Sequence, residues 1–268
     1  MSDTQVHPVS RVAVVTGAAQ GIGEAIALRL ADDGFDIVIA DLPGKRGQVE
    51  AVVRAIEAKG RRALGVFGDV SLEADVVSLV EKTVQEFGGL DVMVANAGIY
   101  RPTPILDLTV EEYDSMMAVN ARGVMLALKH AGRQMVEQGR GGRILVAASW
   151  AAKQGIVNAS AYSASKFATR GLVQSAALEL RQYNITVNSY APGLVLTPLT
   201  LHPDDEINGG PGSTAMKVTT IHRYAGLPNN IKAGTPEEVA GLVAYLVKPE
   251  ARFVTGQCIN INGGLGMD

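Results

Sequence analysis

The chain has 268 residues, of which 47% are hydrophobic and 19% charged, and its formal net charge is −3. This apolar content can bury a sizeable core, so disorder is excluded for the bulk of the chain. The lack of a basic excess argues against nucleic acid as a partner.

Short β-branched segments alternate with segments of helical periodicity along the chain. The alternation begins with a strand at Val12 to Val15, a helix from about Gly21 to Asp33 and a strand at Ile37 to Ala40. Further strands are predicted at Ala63 to Phe67, Asp91 to Ala95, Arg143 to Ala148, Thr186 to Tyr190 and Cys258 to Ile261. Strands separated by helices pair in parallel through right-handed crossovers, so these seven strands predict a single α/β domain over residues 1–268. Its architecture would be a Rossmann-type doubly wound sheet with helices on both faces.

Two helix starts carry a capping-box pattern, in which a threonine is followed three residues later by a glutamate. The two pairs are Thr109 with Glu112 and Thr235 with Glu238, and Pro236 adds a favoured residue in the first turn of the second helix. Between them, residues 194–234 are rich in Pro, Gly, Asp and Asn and break the alternation. Such long irregular connections are often functional, so this segment is interpreted as a loop that covers a ligand, with a plain surface excursion as the alternative.

Several features indicate the cellular setting. The polar amino terminus lacks the apolar core of a secretory signal, and no apolar run approaches the roughly 18 residues of a membrane span. The lone cysteine, Cys258, cannot form an intramolecular disulfide. The four histidines lack partners at metal-ligand spacing, so no metal site is expected. We therefore expect a soluble cytoplasmic protein without a membrane partner.

A glycine-rich turn lies between the first strand and the first helix. Glycines stand at Gly17, Gly21 and Gly23, with Gln20 and Ile22 between them. Glycines at this position let the backbone approach a pyrophosphate at the helix amino terminus. The spacing departs from the strict Gly-x-Gly-x-x-Gly fingerprint, so glycine alone could also mark a tight turn.

Asp41 follows the second strand, where a carboxylate accepts hydrogen bonds from an adenosine ribose. A negative charge there repels a 2′-phosphate, which predicts NAD as the cofactor in preference to NADP. Lys45 and Arg46 follow closely and could reach such a phosphate, so they leave NADP open.

Tyr162 and Lys166 are four residues apart and would project from one face of a helix. An ammonium beside a phenol lowers the tyrosine pKa, as a general acid/base for an alcohol–carbonyl pair requires. Ser149 is predicted at the carboxyl end of a strand, where it could hold the substrate oxygen or simply cap a turn.

With these residues assembled, the chain resembles the short-chain dehydrogenase/reductase family from about Arg11 to Gly264. The resemblance implies catalytic roles for Ser149, Tyr162, Lys166 and Asn120, with Tyr162 as the proton donor or acceptor and Lys166 depressing the tyrosine pKa. Asn120 would hold a water that relays protons to Lys166. The resemblance also implies further cofactor-binding residues, namely Asp69, Val70, Asn96, Ala97, Gly98, Pro192, Gly193, Val195 and Thr197.

Within the family, the segments 162–172 and 185–193 are similar to acetoin/diacetyl reductases, also called 2,3-butanediol dehydrogenases. Such a protein would transfer hydride between NAD(H) and a secondary alcohol or ketone. Trp150 and Asn158 are expected to contact the substrate, and Trp150 leaves open a bulkier cyclic alcohol in place of a small hydroxyketone or diol. An NAD-dependent epimerase and a catalytically silent dinucleotide-binding protein remain alternatives. The resemblance further implies a homotetramer or homodimer built from helices near 161–182 and 236–247.

Overall fold

The computed structural model describes residues 11–200 and 233–267 of the chain. Its centre is a parallel sheet of seven strands in the order β3-β2-β1-β4-β5-β6-β7. The strands are β1 Val12–Thr16, β2 Asp36–Asp41, β3 Ala63–Phe67, β4 Val92–Ala95, β5 Gly142–Ala147, β6 Ile185–Pro192 and β7 Cys258–Ile261. All seven predicted strands are confirmed, with ends that differ from the prediction by at most two residues.

Seven α-helices occur in the described residues. They are α1 Gly21–Asp32, α2 Arg46–Glu57, α3 Glu73–Phe87, α4 Val110–Met117, α5 Gly123–Gln138, α6 Ser160–Leu180 and α7 Pro236–Leu246. A π-helical turn at Ala118–Arg122 joins α4 to α5, and a short 3₁₀ turn at Trp150–Ala152 follows β5. This order of elements confirms the doubly wound α/β architecture.

The helices cover both faces of the sheet. On one face, α1, α2 and α7 bury side chains such as Leu30, Ile56 and Val243 against strand residues that include Val15. On the other face, α3, α5 and α6 form a second apolar layer. Because both faces of the sheet are covered, every residue of β1 and β6 is buried.

The two predicted capping boxes differ in the structure. Thr235 accepts a hydrogen bond from the Glu238 amide at 3.4 Å, and the Glu238 carboxylate accepts one from the Thr235 amide at 2.8 Å, so this box is complete. Thr109 accepts from the Glu112 amide at 3.2 Å, but the reciprocal bond is not formed. The prediction of a second full box was therefore wrong. Only the Thr235 box has a proline in its first turn, where the ring fixes φ and reduces the freedom of the helix start.

The interpretation of residues 194–234 as a covering loop falls mostly on 201–232, outside the described residues. The two described ends of this segment lie together. The Leu196 amide donates to the Gly234 carbonyl at 3.1 Å, and the Gly234 amide donates to the Leu194 carbonyl at 2.8 Å. The segment therefore leaves and re-enters the fold at one place, beside the carboxyl end of β6. In residues 11–200 and 233–267, no helix has the length and apolar character needed to cross a bilayer.

Candidate active site

A cleft of about 430 Å³ opens at the carboxyl ends of the strands, where the strand order reverses between β1 and β4. Ligands of open α/β sheets bind at such a switch point. The cleft brings together all the predicted cofactor-binding residues and three of the four predicted catalytic residues. These are Gly17, Gln20, Gly21, Ile22, Gly23, Asp41, Asp69, Val70, Asn96, Ala97, Gly98, Ser149, Tyr162, Lys166, Pro192, Gly193, Val195 and Thr197.

The glycine turn is closely packed against the strand that lies beside it. Gly17 has φ of 62°, and a Cβ there would lie 2.7 Å from the Ala97 Cα, so a side chain would fit neither the backbone nor the space. The Asn96 Nδ2 donates to the carbonyls of Thr16 and Gly17 at 3.0 and 3.1 Å. The Tyr190 hydroxyl donates to the Asn96 Oδ1 at 2.9 Å and fixes the amide. Asn96 therefore holds the turn in place. The part that Tyr190 plays in orienting Asn96 was not predicted from the sequence.

Asp41 lies at the edge of the cleft next to the same turn. One carboxylate oxygen accepts from the Ala19 amide at 2.9 Å, and the other accepts from the Leu42 amide at 2.8 Å. Each oxygen keeps a second lone pair, so the carboxylate can still accept hydrogen bonds from a ribose. The Lys45 ammonium donates to the Gln20 side chain at 3.2 Å. Arg46 stacks over the Phe67 ring at 4.1 Å and does not line the cleft.

Tyr162 and Ser149 form the centre of the site. Ser149 caps the 3₁₀ turn by accepting from the Ala151 amide at 3.1 Å, and it lies close enough to the Tyr162 phenol to lower the pKa of that group. The predicted turn cap is therefore present, and contact with a substrate oxygen stays a prediction. Because the amide of Ala151 occupies a lone pair, the serine O–H stays free to donate toward the phenol oxygen.

The pKa of Tyr162 differs from the expectation. Desolvation by the surrounding protein raises the pKa of the phenol to about 12, the Ser149 hydrogen bond lowers it, and the neighbouring Tyr100 raises it. Lys166 lies 5.5 Å from the centre of the Tyr162 ring and does not depress this pKa in the ligand-free protein. The net shift of the pKa is upward, opposite to the expected lowering, because burial outweighs the Ser149 hydrogen bond.

Lys166 is buried, with 4% of its surface exposed. Its ammonium donates to the Ala147 carbonyl at 2.7 Å, and burial lowers the pKa of the amine to about 8. An ammonium carries three N–H donors, so two of them have no partner among the described residues. Lys166 lines the cleft, where hydroxyl groups of a ligand could accept hydrogen bonds from these two N–H groups.

Asn120 is fully buried behind the cleft, in the π-helical turn between α4 and α5. Its side-chain amide forms a two-way pair with the backbone of Ile99, with both hydrogen bonds at 2.9 Å. A Cβ on Gly98 would lie 3.2 Å from the Asn120 Oδ1 and 3.7 Å from the Lys166 Nζ. Asn120 thus holds the chain after β4 in place beside Lys166.

A smaller pocket adjoins the Ser149–Tyr162 pair. Trp150 lines it, as does Tyr100, whose ring meets the Tyr162 ring edge to face with the centroids 4.9 Å apart. Asn158, which was expected to contact substrate, lines neither this pocket nor the cleft. Its φ is 56°, and its carbonyl accepts a hydrogen bond from the Thr103 amide at 2.7 Å. Asn158 therefore contributes to the structure of the loop backbone. Tyr100 was missed because a tyrosine after a strand has no distinctive spacing.

A dinucleotide needs a turn whose backbone its pyrophosphate can approach and polar groups that bind its two riboses. The cleft offers the glycine turn at Gly17, the Asp41 carboxylate and the buried Lys166 ammonium. The volume also lies in the range of roughly 300–1,000 Å³ that is usual for cofactor sites. The residues present fit a nicotinamide dinucleotide.

Comparisons with known proteins agree with this geometry. The family model described as short chain dehydrogenase matches residues 11–207. A short-chain dehydrogenase/reductase of Armillaria gallica is 46% identical over 268 residues, with both chains fully covered. An L-2,3-butanediol dehydrogenase of Corynebacterium glutamicum is 42% identical and covers 96% of this chain and 99% of its own. A crystal structure of a short chain dehydrogenase from Mycobacterium paratuberculosis bound to NAD has a TM-score of 0.85 at 30% identity, covering 97% of this chain and 99% of that one. The chain belongs to the short-chain dehydrogenase/reductase family, whose members of this kind are alcohol dehydrogenases and ketoreductases.

Proposed function

We propose that the protein interconverts a secondary alcohol and a ketone with NAD(H), and that Tyr162 is the general acid/base. The observation that carries this proposal is the placement of Ser149 and Tyr162 in one cleft with the buried Lys166. A nicotinamide, when bound, supplies or accepts the hydride. The work of the chain is to hold the reacting oxygen and to move one proton to or from it.

The three side chains divide this work. In the direction of reduction, the protonated Tyr162 donates its proton to the carbonyl oxygen, and Ser149 donates a hydrogen bond to the same oxygen. A pKa near 12 keeps the phenol protonated at neutral pH in the ligand-free protein. Lys166 offers its two remaining N–H donors to ribose hydroxyls, while Asn120 fixes the neighbouring backbone.

Replacement of Tyr162 by Phe tests this function. The variant removes only the hydroxyl, so NADH-dependent reduction of a ketone panel from diacetyl to bulky cyclic ketones should slow by roughly 10²–10⁴-fold. The decay of NADH absorbance measures the rate, and fluorescence titration checks that NADH still binds. Turnover by Y162F at the wild-type rate would refute the role of Tyr162. Failure of the wild type to consume cofactor with any ketone would refute the proposed reaction.

We propose NAD in preference to NADP because, among the described residues that line the cleft, Asp41 places a carboxylate near the expected adenosine ribose and no arginine accompanies it. Asp41 lines the cleft, whereas Arg46 is held over Phe67 away from it. A 2′-phosphate would meet the Asp41 carboxylate without a compensating guanidinium, and Lys45 is already bonded to Gln20.

Asp41→Asn is a sharper test than a shorter side chain, because the amide oxygen can still accept from Ala19 and support the glycine turn. Loss of the negative charge should shift the ratio of kcat/KM for NADH over NADPH toward NADPH by about tenfold or more. Glu57→Gln, which changes an exposed carboxylate at the end of α2, serves as the control and should leave the ratio unchanged. An unchanged ratio in D41N would contradict the assignment of Asp41.

A further inference from the structure

The pocket beside the Ser149–Tyr162 pair has a volume of about 90 Å³ and walls of mainly aromatic and aliphatic character. A substrate whose oxygen is held by Ser149 and Tyr162 must place one substituent in this pocket, since both side chains line it. Its other principal wall residues are Tyr100, Trp150, Ile156, Leu194, Leu199 and Leu265. The chemistry of these walls therefore bears on the class of substrate.

The polar groups of the pocket are mostly committed elsewhere. The Thr200 hydroxyl donates to the Val195 carbonyl at 2.6 Å and accepts from the Thr197 amide at 3.0 Å. The Trp150 indole N–H is buried and has no hydrogen-bond partner among the described residues. Apart from the Ser149–Tyr162 pair, the Tyr100 hydroxyl is the pocket hydroxyl that has no hydrogen-bond partner among the described residues, and the Tyr100 ring contacts the Tyr162 ring. A second oxygen on the substrate would have few groups to bind it, and burying it without a partner costs free energy.

The far wall of the pocket comes from the carboxyl-terminal turn. The Asn262 Nδ2 donates to the Gly266 carbonyl at 2.8 Å, and the Leu265 amide donates to the Asn262 carbonyl at 3.0 Å. Gly266 lies directly against the Trp150 indole, where a Cβ would collide with Nε1. This contact seats the turn on Trp150 and places Leu265 in the wall. Leu265 thus contributes to the pocket wall from a turn that is hydrogen-bonded to Asn262 and packed on Trp150.

We propose that this pocket takes an apolar alkyl or ring substituent of the ketone, and that Leu265 sets the size of the substituent. The proposal rests on the ketone–alcohol chemistry proposed above and adds the substrate class to it. An aliphatic and aromatic wall binds an alkyl group by burying its surface, but it offers a hydroxyl few hydrogen-bond partners in return for its lost hydration.

A matched pair of ketones tests the class. Acetoin and methyl isopropyl ketone share one skeleton and differ by a hydroxyl in place of a methyl group. The wild-type KM should be about tenfold or more lower for methyl isopropyl ketone, in line with the discrimination that one methyl group provides in an apolar pocket. Equal KM values or a lower KM for acetoin would overturn the proposal.

Variants of Leu265 test the wall. Leu265→Ala should raise the KM for methyl isopropyl ketone about tenfold and lower the KM for the larger acetophenone, while Leu265→Phe should raise the KM for acetophenone. Met267→Ala is the matched control, because Met267 belongs to the same turn but is 81% exposed. NADH affinity should be unchanged in all three. An unchanged ratio of the two KM values in both Leu265 variants would overturn the role of Leu265.

The two levels of proposal fail in different ways. Absence of turnover with every ketone would refute the proposed function itself. Turnover of both ketones with a preference for acetoin would leave that function standing and would refute the apolar pocket as the specificity element.

Discussion

At the scale of single residues, burial acts on the site more strongly than the local charges do. It raises the pKa of Tyr162 to about 12 and lowers that of Lys166 to about 8, so each group is pushed toward its neutral form. A protonated phenol and a readily discharged amine suit a proton donor in an enclosed site. Lys166 lowers the free energy of unfolding, since its ammonium is charged and buried at neutral pH.

Lys166→Met should therefore stabilise the ligand-free protein at pH 7 while abolishing activity. The lysine pKa is about 8 in the folded state against about 10.5 in the unfolded state, so the charged form opposes folding. The cost is complete below pH 8, falls as pH rises toward 10.5 and vanishes above it. Its upper size is on the order of 3 kcal/mol, less about 1 kcal/mol for the lost hydrogen bond to Ala147.

Urea unfolding of wild type and K166M at pH 7 and pH 10 measures this difference. The stability gain of K166M should be clear at pH 7 and should shrink at pH 10. Lys82→Met, at an exposed lysine of α3, is the control and should show no comparable gain. A gain of equal size at both values of pH would show that packing, and not the buried charge, is responsible.

The sequence predicted most of the site at this scale, and its limits have a physical cause. Tyr162, Lys166 and the glycines were found because helical spacing and chain position are local properties. Tyr100 and Tyr190 were not found because their contacts, with Tyr162 and Asn96, join segments that only the tertiary fold brings together. The direction of the Tyr162 pKa was missed for the same reason, since burial is a property of the whole fold.

At the scale of elements, the strands were predictable because a sheet covered on both faces requires continuous apolar runs such as Val12–Thr16. The hydrogen bonds of the helix caps were less predictable from the sequence. Thr109 and Thr235 carry the same pattern, yet only Thr235 completes its box, with Pro236 in the first turn. A capping sequence thus fixes where a helix begins but not which of the reciprocal hydrogen bonds form.

This difference predicts unequal effects of two matched substitutions. Glu238→Ala removes the carboxylate that accepts from the Thr235 amide at the start of α7 and should lower the free energy of unfolding by about 1 kcal/mol. Glu112→Ala removes no such bond and should have a smaller effect. Chemical denaturation of both variants gives the comparison, and a larger loss in E112A would contradict the interpretation of the Thr235 box.

At the scale of the whole molecule, apolar side chains remain exposed on both sides of the sheet. Phe167 and Leu178 of α6 are 46% and 64% exposed, and their spacing of eleven residues places them on one face of that helix. Tyr245 of α7 is 46% exposed. Because α6 packs on one face of the sheet and α7 on the other, these side chains define two separate surfaces. A chain that pairs with its own copies through two separate surfaces forms a tetramer with two kinds of two-fold contact.

We therefore expect a homotetramer that can be divided in steps. Leu178→Glu and Tyr245→Glu each place a charge on one of the two surfaces, and each should give dimers, since burying an unpaired charge in an interface is costly. The double variant should give monomers, and Leu72→Glu, at an exposed leucine before α3, should remain tetrameric. Sedimentation velocity distinguishes these states. A monomeric wild type would refute the assembly, and dissociation to monomers by either single variant would show that the two surfaces are not independent.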